Sequence, residues 1–287
     1  MTNKNNNQNN IIAFQGVSGA YSEMACLSNF KNMKTLPCPS FEEMISSVQE
    51  NRAKLAMVPV ENSTAGRVAD IHHLLPESGL YIIGEIFFRV NHTLLGVKGA
   101  KHSDLEEVRS HAQGLAQCRE NINKMKLLPI THPDTAGAAK EVSELKNKTI
   151  AAIASKLAAE KYNLQIFKEN FEDKNHNTTR FLIMSKTHTM PKVTSDKYIT
   201  TLVFSTRSVP AALYKALGGF ATNGINLTKL ESYMIDGSMT ATQFYVDIEG
   251  HPETSSMKYA LKELEFYCGR DMVKILGTYK ASSKRKS

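Results

Sequence analysis

The chain has 287 residues, enough for about two domains, and its 41% hydrophobic and 22% charged residues place it among globular proteins. A net charge of +7, part of it from Lys284, Arg285 and Lys286, comes without a basic stripe interleaved with aromatics, which argues against nucleic acid as a partner. No apolar run approaches the roughly 18 residues of a membrane span, and the Asn-rich start lacks the apolar core of an export signal. Cys26, Cys38, Cys118 and Cys268 are scattered without metal-ligand spacing, so they are expected to be reduced, buried fillers in a cytoplasmic protein.

Residues 1–10 are expected to form a disordered lead-in. Residues 11–14 then predict a buried strand, followed by Gly16, Gly19 and a helix over 22–29. Ser40 and Glu43 have capping-box spacing and open a helix towards Asn51. Residues 55–60 predict a strand, 68–75 a helix, and 80–90 with 93–97 a pair of strands. Ser103 and Glu106 repeat the capping-box spacing. A strand near Val108, helices over 116–124 and after Asp134, a strand over 149–154 with Ser155 as the next cap, and a strand over 181–184 complete the region. Alternation of this kind predicts parallel sheets with helices on both faces, and the length of 11–187 suggests two lobes around a cleft.

Residues 188–197 are polar, contain Pro191 and read as a linker. The order then changes over 198–280. A strand over 199–205 precedes a helix started by Pro210, with Leu213, Leu217 and Phe220 on one face and Gly224 ending it. Strands over 225–234 and 240–248 are joined by Asp236-Gly237, a strong hairpin signal. Met257, Leu261, Leu264 and Cys268 mark a second amphipathic helix before a last strand over 272–279. This is the ferredoxin-like βαββαβ order, with a frayed basic tail expected over 281–287.

Several polar groups follow predicted strands, where open α/β sheets place ligands. Gly16-Val17-Ser18-Gly19-Ala20-Tyr21-Ser22 opens a helix, an arrangement that favours an anion. Glu61-Asn62-Ser63 lies at a strand end, Ser110-His111-Ala112-Gln113 follows the strand at Val108, and Asp134-Thr135 enters a helix. Asn177-Thr178-Thr179-Arg180-Phe181 combines hydroxyls with a guanidinium that can fork onto a carboxylate. Each has a plain structural alternative, namely capping or an ordinary turn. His72 and His73 are adjacent on a predicted helix, which is poor metal-ligand spacing.

Taken in order, these segments closely resemble prephenate dehydratases. The family's G-x-x-G-[TA]-[FY]-S-E turn stands at 16–23, its P-[IV]-E-N-S-x-x-G loop at 59–66, its S-H-P-Q-A-L-x-Q-C segment at 110–118 and its N-x-T-R-F signature at 177–181. The I-N-L-T-K-[IL]-E-S stretch of the ACT domain stands at 225–232, so the resemblance spans about 11–279. Ala112 and Gly114 depart from the 110–118 segment, while Ala211 and Tyr233-Met234 depart from the regulatory motifs. The last two bear on an effector pocket rather than on catalysis.

The resemblance implies a two-lobed catalytic region like type II periplasmic-binding proteins over 11–187 and a ferredoxin-like ACT domain over 198–280. It implies conversion of prephenate to phenylpyruvate, CO2 and water, with no cofactor and no metal, and a homodimer or homotetramer inhibited by L-phenylalanine. Thr179 is implied as the contact of the leaving hydroxyl, with Glu61 a candidate donor if burial raises its pKa. Asn62, Ser63, Ser110 and His111 are implied to complete the catalytic group. Ser18, Gly19, Tyr21, Ser22, Gln113, Thr135, Arg180 and Phe181 are implied to hold substrate, and Leu213, Asn226 and Leu227 the effector. Two other readings stay open: an arogenate dehydratase, and a non-catalytic amino-acid sensor. A fused chorismate mutase is not expected, because only about ten residues precede the first strand, whereas that activity needs its own helical domain.

Overall fold

A computed structural model describes residues 10–234 and 241–286. The chain begins with β1 (Ile11–Gln15), α1 (Tyr21–Asn29), β2 (Lys34–Cys38), α2 (Phe41–Gln49) and β3 (Leu55–Asn62). Next come β4 (Gly66–Arg67), α3 (Ala69–Leu74), β5 (Tyr81–Arg89), β6 (Thr93–Gly96) and β7 (Glu107–Ser110). They are followed by α4 (Ala112–Gln117), α5 (Arg119–Lys124), β8 (Leu128–Thr131), α6 (Thr135–Leu145), β9 (Ile150–Ala154), α7 (Lys156–Lys161) and β10 (Gln165–Lys168). The last elements are β11 (Thr178–Ser185), β12 (Tyr198–Ser205), α8 (Ala212–Thr222), β13 (Leu227–Met234), β14 (Ala241–Glu249), α9 (Ser255–Cys268) and β15 (Val273–Lys280). The expected lead-in, apart from Asn10, and the Asp236-Gly237 turn lie outside the described residues.

Three sheets result, in the orders β2-β1-β3-β11-β5 with β4 on β3, β10-β6-β9-β7-β8, and β13-β14-β12-β15. The two strands over 80–90 and 93–97 therefore separate: β5 joins the first sheet and β6 the second. The second sheet is mixed rather than parallel, because β6 runs antiparallel to both β9 and β10 while β7 runs parallel to β8 and β9. No helix starts at Ser103. A single 3-10 turn, His102–Asp104, is capped instead by Asp104, whose carboxylate accepts the Lys101 N–H, and Glu107 already begins β7. The caps expected at Ser40, Asp134 and Ser155 are present, each accepting a backbone N–H of the following turn.

By internal contacts the chain divides into two compact units: residues up to Val68 with Phe87–Phe181, and Ala69–Ile86 with Leu182 onward. This differs from the expected boundary near 187 in two places: residues 182–187 fall in the second unit, and so does the segment 69–86, which clusters with the C-terminal sheet. The reason lies in strand periodicity. One face of that sheet carries Leu202, Phe204, Phe244, Val246 and Ile248, which pack on Ala216, Phe220, Met257, Ala260 and Leu264 of α8 and α9. The alternate residues Thr201, Tyr245 and Asp247 are equally buried. Within this unit His72 of α3 lies against them, its ring 5.2 Å from that of Tyr245 and its Nδ1 2.8 Å from the Tyr233 hydroxyl. Gly277 lets β15 approach the same segment, since a Cβ there would stand 2.0 Å from the Ile82 carbonyl oxygen.

The basic tail is not frayed through Arg285. That guanidinium contacts Glu85 at 2.7 Å and Asp247 at 3.4 Å, and both carboxylate side chains are fully buried. Two anions removed from water need a cation, which the sequence supplies at its far end.

Candidate active site

The apolar run Leu55–Val58 is buried in the first sheet and ends in Glu61-Asn62, where the chain turns back so that Asn62 pairs with Gly66 in β4. The Asn62 Oδ1 accepts the backbone N–H groups of Thr64 and Ala65, at 3.0 and 2.9 Å. Those two donors settle which way the amide faces, because only its oxygen can accept them. Its Nδ2 therefore donates onward, to Asn177 Oδ1 at 2.7 Å and to Thr179 Oγ1 at 2.9 Å.

The same logic continues across the unit. Asn177 donates its Nδ2 to Gln117 Oε1 at 2.6 Å, and Gln117 donates its own Nε2 to the Thr64 hydroxyl at 2.6 Å. His92 Nε2 lies 2.7 Å from that same Gln117 oxygen, and Tyr21 places its hydroxyl 2.7 Å from His92 Nδ1. Residues from β3, α1, α4 and the strand β11 are thus joined into one chain of neutral hydrogen bonds. Asn177, Thr179 and His92 are buried, whereas Thr64 is exposed. Burial lowers the His92 pKa from its ordinary value and pushes the Tyr21 hydroxyl well above its own. Burial likewise raises the Cys118 thiol, which suits a filler rather than a nucleophile.

Adjacent residues on a strand leave on opposite faces, and this separates groups that the sequence reading put together. Asn62 meets Thr179, while their neighbours Glu61 and Arg180 meet one another at 3.5 Å. Arg180 is almost wholly buried, and the Glu61 side chain is 41% exposed. Glu61 thus faces Arg180 with part of its side chain open to solvent. Phe181 is a core residue.

The Gly16–Ser22 turn does hold an anion, but the anion is the chain's own. Buried Glu23 accepts the Gly19 N–H at 2.6 Å, the Ser18 hydroxyl at 3.2 Å and the Thr35 hydroxyl at 2.9 Å, and faces Lys161 at 3.5 Å. Ser18 and Gly19 are thus engaged internally, Tyr21 turns to His92, and Ser22 is half-buried. Gly19 at φ +88° also allows close contact with α7, where a Cβ would stand 3.0 Å from the Ala158 Cα.

Ser63 donates to the His176 carbonyl at 2.6 Å and accepts the Thr178 N–H at 2.9 Å, lacing the loop to β11. Ser110 is fully buried and donates to the Ile153 carbonyl at 2.6 Å, so it holds β7 to β9. His111 accepts the Gln113 N–H at 3.3 Å as the cap of α4, with Gln113 exposed. Ser110, Thr135 and His92 nevertheless converge on Gly114: a Cβ there would lie 2.8, 3.6 and 3.7 Å from their nearest atoms.

Gln117, Asn177, Thr64 and His92 are the members that sequence reasoning left out. Gln117 and Asn177 stand inside the quoted motifs at 110–118 and 177–181, so the motif span was the available signal. His92 had none.

Leu213 and Leu227 are half-buried against the core of the second unit. Asn226 is exposed and donates to Glu249 Oε2 at 3.1 Å. An open apolar groove of about 370 Å³ runs along α8, lined by Leu213, Tyr214, Leu217, Gly218 and Ala221. It takes in Leu213 but neither Asn226 nor Leu227. Ala211 adopts φ +62°, the left-handed region that favours glycine. Among the described residues no group of three His, Cys, Asp or Glu side chains is placed to hold a metal ion, and no helix is long and apolar enough to cross a membrane.

Comparison with known proteins gives a concordant set. A family model described as prephenate dehydratase matches residues 12–189. The chain is 49% identical to a Komagataeibacter europaeus protein named bifunctional N-acyl-homoserine lactone acylase/prephenate dehydratase, over 98% of this chain and 99% of that one. It is 38% identical to arogenate dehydratase/prephenate dehydratase 1 of Arabidopsis thaliana, over 93% and 71% of the two chains. Among solved structures, prephenate dehydratase from Arthrobacter aurescens in complex with L-Phe superposes with a TM-score of 0.86 at 27% identity, over 96% of this chain and 91% of that one.

Proposed function

The chain belongs to the prephenate dehydratase family of hydro-lyases, and we propose that it converts prephenate to phenylpyruvate, carbon dioxide and water. In this reaction the bond to the ring carboxylate breaks and its electrons enter the ring, while the ring hydroxyl leaves and takes up a proton to become water. Aromatisation supplies the driving force, so the protein has to orient the substrate and assist one departing oxygen.

The observation that carries this reading is the polarity at Thr179. Its oxygen accepts from Asn62, so its own proton is left to be donated to a leaving hydroxyl. A Thr hydroxyl is a weak acid, and its role is to position or relay the proton. Arg180 and Glu61, paired with each other on the other face of the sheet, serve as a brace. Phenylpyruvate formation from purified protein and prephenate tests the reading, and its absence would refute it. Turnover of arogenate in the same assay separates the two substrates, since relatives carry both names.

We take L-phenylalanine to be the effector, through Leu213, Asn226 and Leu227; support comes from the Arthrobacter aurescens relative in complex with L-Phe. The bonds of Asn226 to Glu249 would have to yield to the ligand. Calorimetry with L-phenylalanine on wild type and Asn226→Ala tests this, and tight binding that ignores the substitution would place the effector elsewhere. Edge strands β13 and β15 suit side-by-side pairing of the sheet with a second copy, giving a dimer or tetramer. A monomer by sedimentation at micromolar concentration would overturn that arrangement. Four buried free thiols suit a reducing compartment, which we take to be the cytoplasm.

A second reading has one observation behind it, the 49% identity along nearly the whole chain to the bifunctional acylase/prephenate dehydratase. It predicts amide hydrolysis, in which water divides an N-acyl-homoserine lactone into a fatty acid and the lactone amine. Chromatography of both products decides it.

A further inference from the structure

We propose that Tyr21 and His92 are positioning residues that hold the imidazole as its Nε2–H tautomer and so orient Gln117, Asn177 and the Thr179 hydroxyl. The inference rests on the dehydratase reading and deepens it. It starts at Gln117 Oε1, which already accepts from Asn177 Nδ2 at 2.6 Å. An amide oxygen cannot donate, so His92 Nε2, 2.7 Å away, must carry the hydrogen. In a neutral ring Nδ1 is then an acceptor, and the Tyr21 hydroxyl at 2.7 Å is its donor. The Asn91 carbonyl offers that hydroxyl only a longer alternative at 3.3 Å.

Burial supports both assignments, since it keeps His92 neutral and Tyr21 protonated. The ring is held from behind as well: Glu172 Oε2 accepts the His92 backbone N–H at 2.8 Å, and Tyr21 meets the ring edge-on at 5.5 Å. Bond directions then agree along the whole chain. Tyr21 donates to His92 and His92 to Gln117; Asn177 also donates to Gln117, and Asn62 donates to both Asn177 and Thr179. If the ring took the other tautomer, two lone pairs would face each other at Gln117. The glutamine would have to swing away and release Asn177, which shares the Asn62 amide donor with Thr179, so the donor that orients the Thr179 hydroxyl would lose one of its two acceptors.

Tyr21→Phe removes only the donor to Nδ1. The expected result is a shift of the His92 ring to mixed tautomers, read by nuclear magnetic resonance of the labelled imidazole nitrogens. With it kcat falls about tenfold or more, while KM stays within about twofold, because the lost orientation matters in the transition state. His92→Gln supplies an amide donor to Gln117 without needing Tyr21. It is expected to keep more activity than His92→Leu and to make Tyr21→Phe silent in the double variant. A ring that stays Nε2–H in Tyr21→Phe, or a changed ring with unchanged kcat, would overturn the proposal. So would an equal loss from Tyr21→Phe in the His92→Gln background. If wild type makes no phenylpyruvate, the dehydratase reading falls and the proposal with it. The tautomer spectra, taken without substrate, tell that failure apart from a wrong ring assignment.

Discussion

In the first unit Asn62, Asn177, Gln117, His92 and Tyr21 are joined through neutral hydrogen bonds, whereas in the second Glu85 and Asp247 are buried against the charge of Arg285. Both regions take polar groups out of water, and the difference in charge sets what each contributes. A neutral chain in which each amide oxygen meets a donor adds modest net stability per bond but specifies direction. A buried ion pair specifies less direction, yet losing one partner leaves a charge that water cannot reach. The first should therefore fail in kinetics before it fails in stability, and the second in stability alone.

The largest effect is expected at the end of the neutral chain. Thr179→Val keeps the shape and removes the donated proton, so kcat should fall by about 10²–10⁴-fold, the usual worth of acid–base assistance, with the thermal midpoint little changed. Steady-state kinetics beside a melting curve decide it; near-normal turnover in a folded variant would take Thr179 out of the reaction. Arg285→Met is the matching test on the charged side. It withdraws the guanidinium from two buried carboxylates and should cost about 3 kcal/mol in urea unfolding. A loss below about 0.5 kcal/mol, the level of an exposed pair, would mean that water reaches this site.

A smaller effect is expected where the second unit does use a neutral bond. Tyr233→Phe deletes the hydroxyl that meets buried His72 and should lower stability by about 1 kcal/mol. An effect as large as that of Arg285→Met would mean that neutral and charged burial contribute alike in this unit. The smallest effect concerns pH. His92 has its pKa lowered from 6.5 by burial, so the unfolded chain binds its proton more readily than the folded one. The stability tied to its neutral form is present in full above about pH 6.5 and is lost as pH falls towards the depressed folded value. Unfolding free energies measured from mildly acidic to neutral pH should therefore slope upward with pH, and His92→Gln should flatten that portion. An unchanged slope would place the titration on another group.

Much of the architecture could be read along the chain because long buried elements carry strong local signals. The strand Leu55–Val58, the helix containing Met257 and Leu264, and the caps at Ser40, Asp134 and Ser155 all appear where patterning puts them. Strands β2, β8 and β10 went unread, and all three are sheet edges. Two contain a proline, Pro37 and Pro129, which edges tolerate and which masks a strand pattern. Sequence also determined the loops that meet at the site, since 59–66, 110–118 and 177–181 are the segments that the hydrogen bonds join. The separation of Glu61 from Asn62, and of Arg180 from Thr179, follows from strand alternation once both segments are known to be strands.

Which partner each polar group takes was decided only by tertiary structure. Glu23 fills the anion-binding turn, Gln117 bridges to Asn177 sixty residues away, and Arg285 reaches Glu85 and Asp247. Hydrophobic periodicity records which face of an element is buried, because burial repeats with the backbone period. A hydrogen bond has no such period. It depends on where two distant atoms come to lie within about 3 Å of each other, which the fold sets and no local stretch of sequence records.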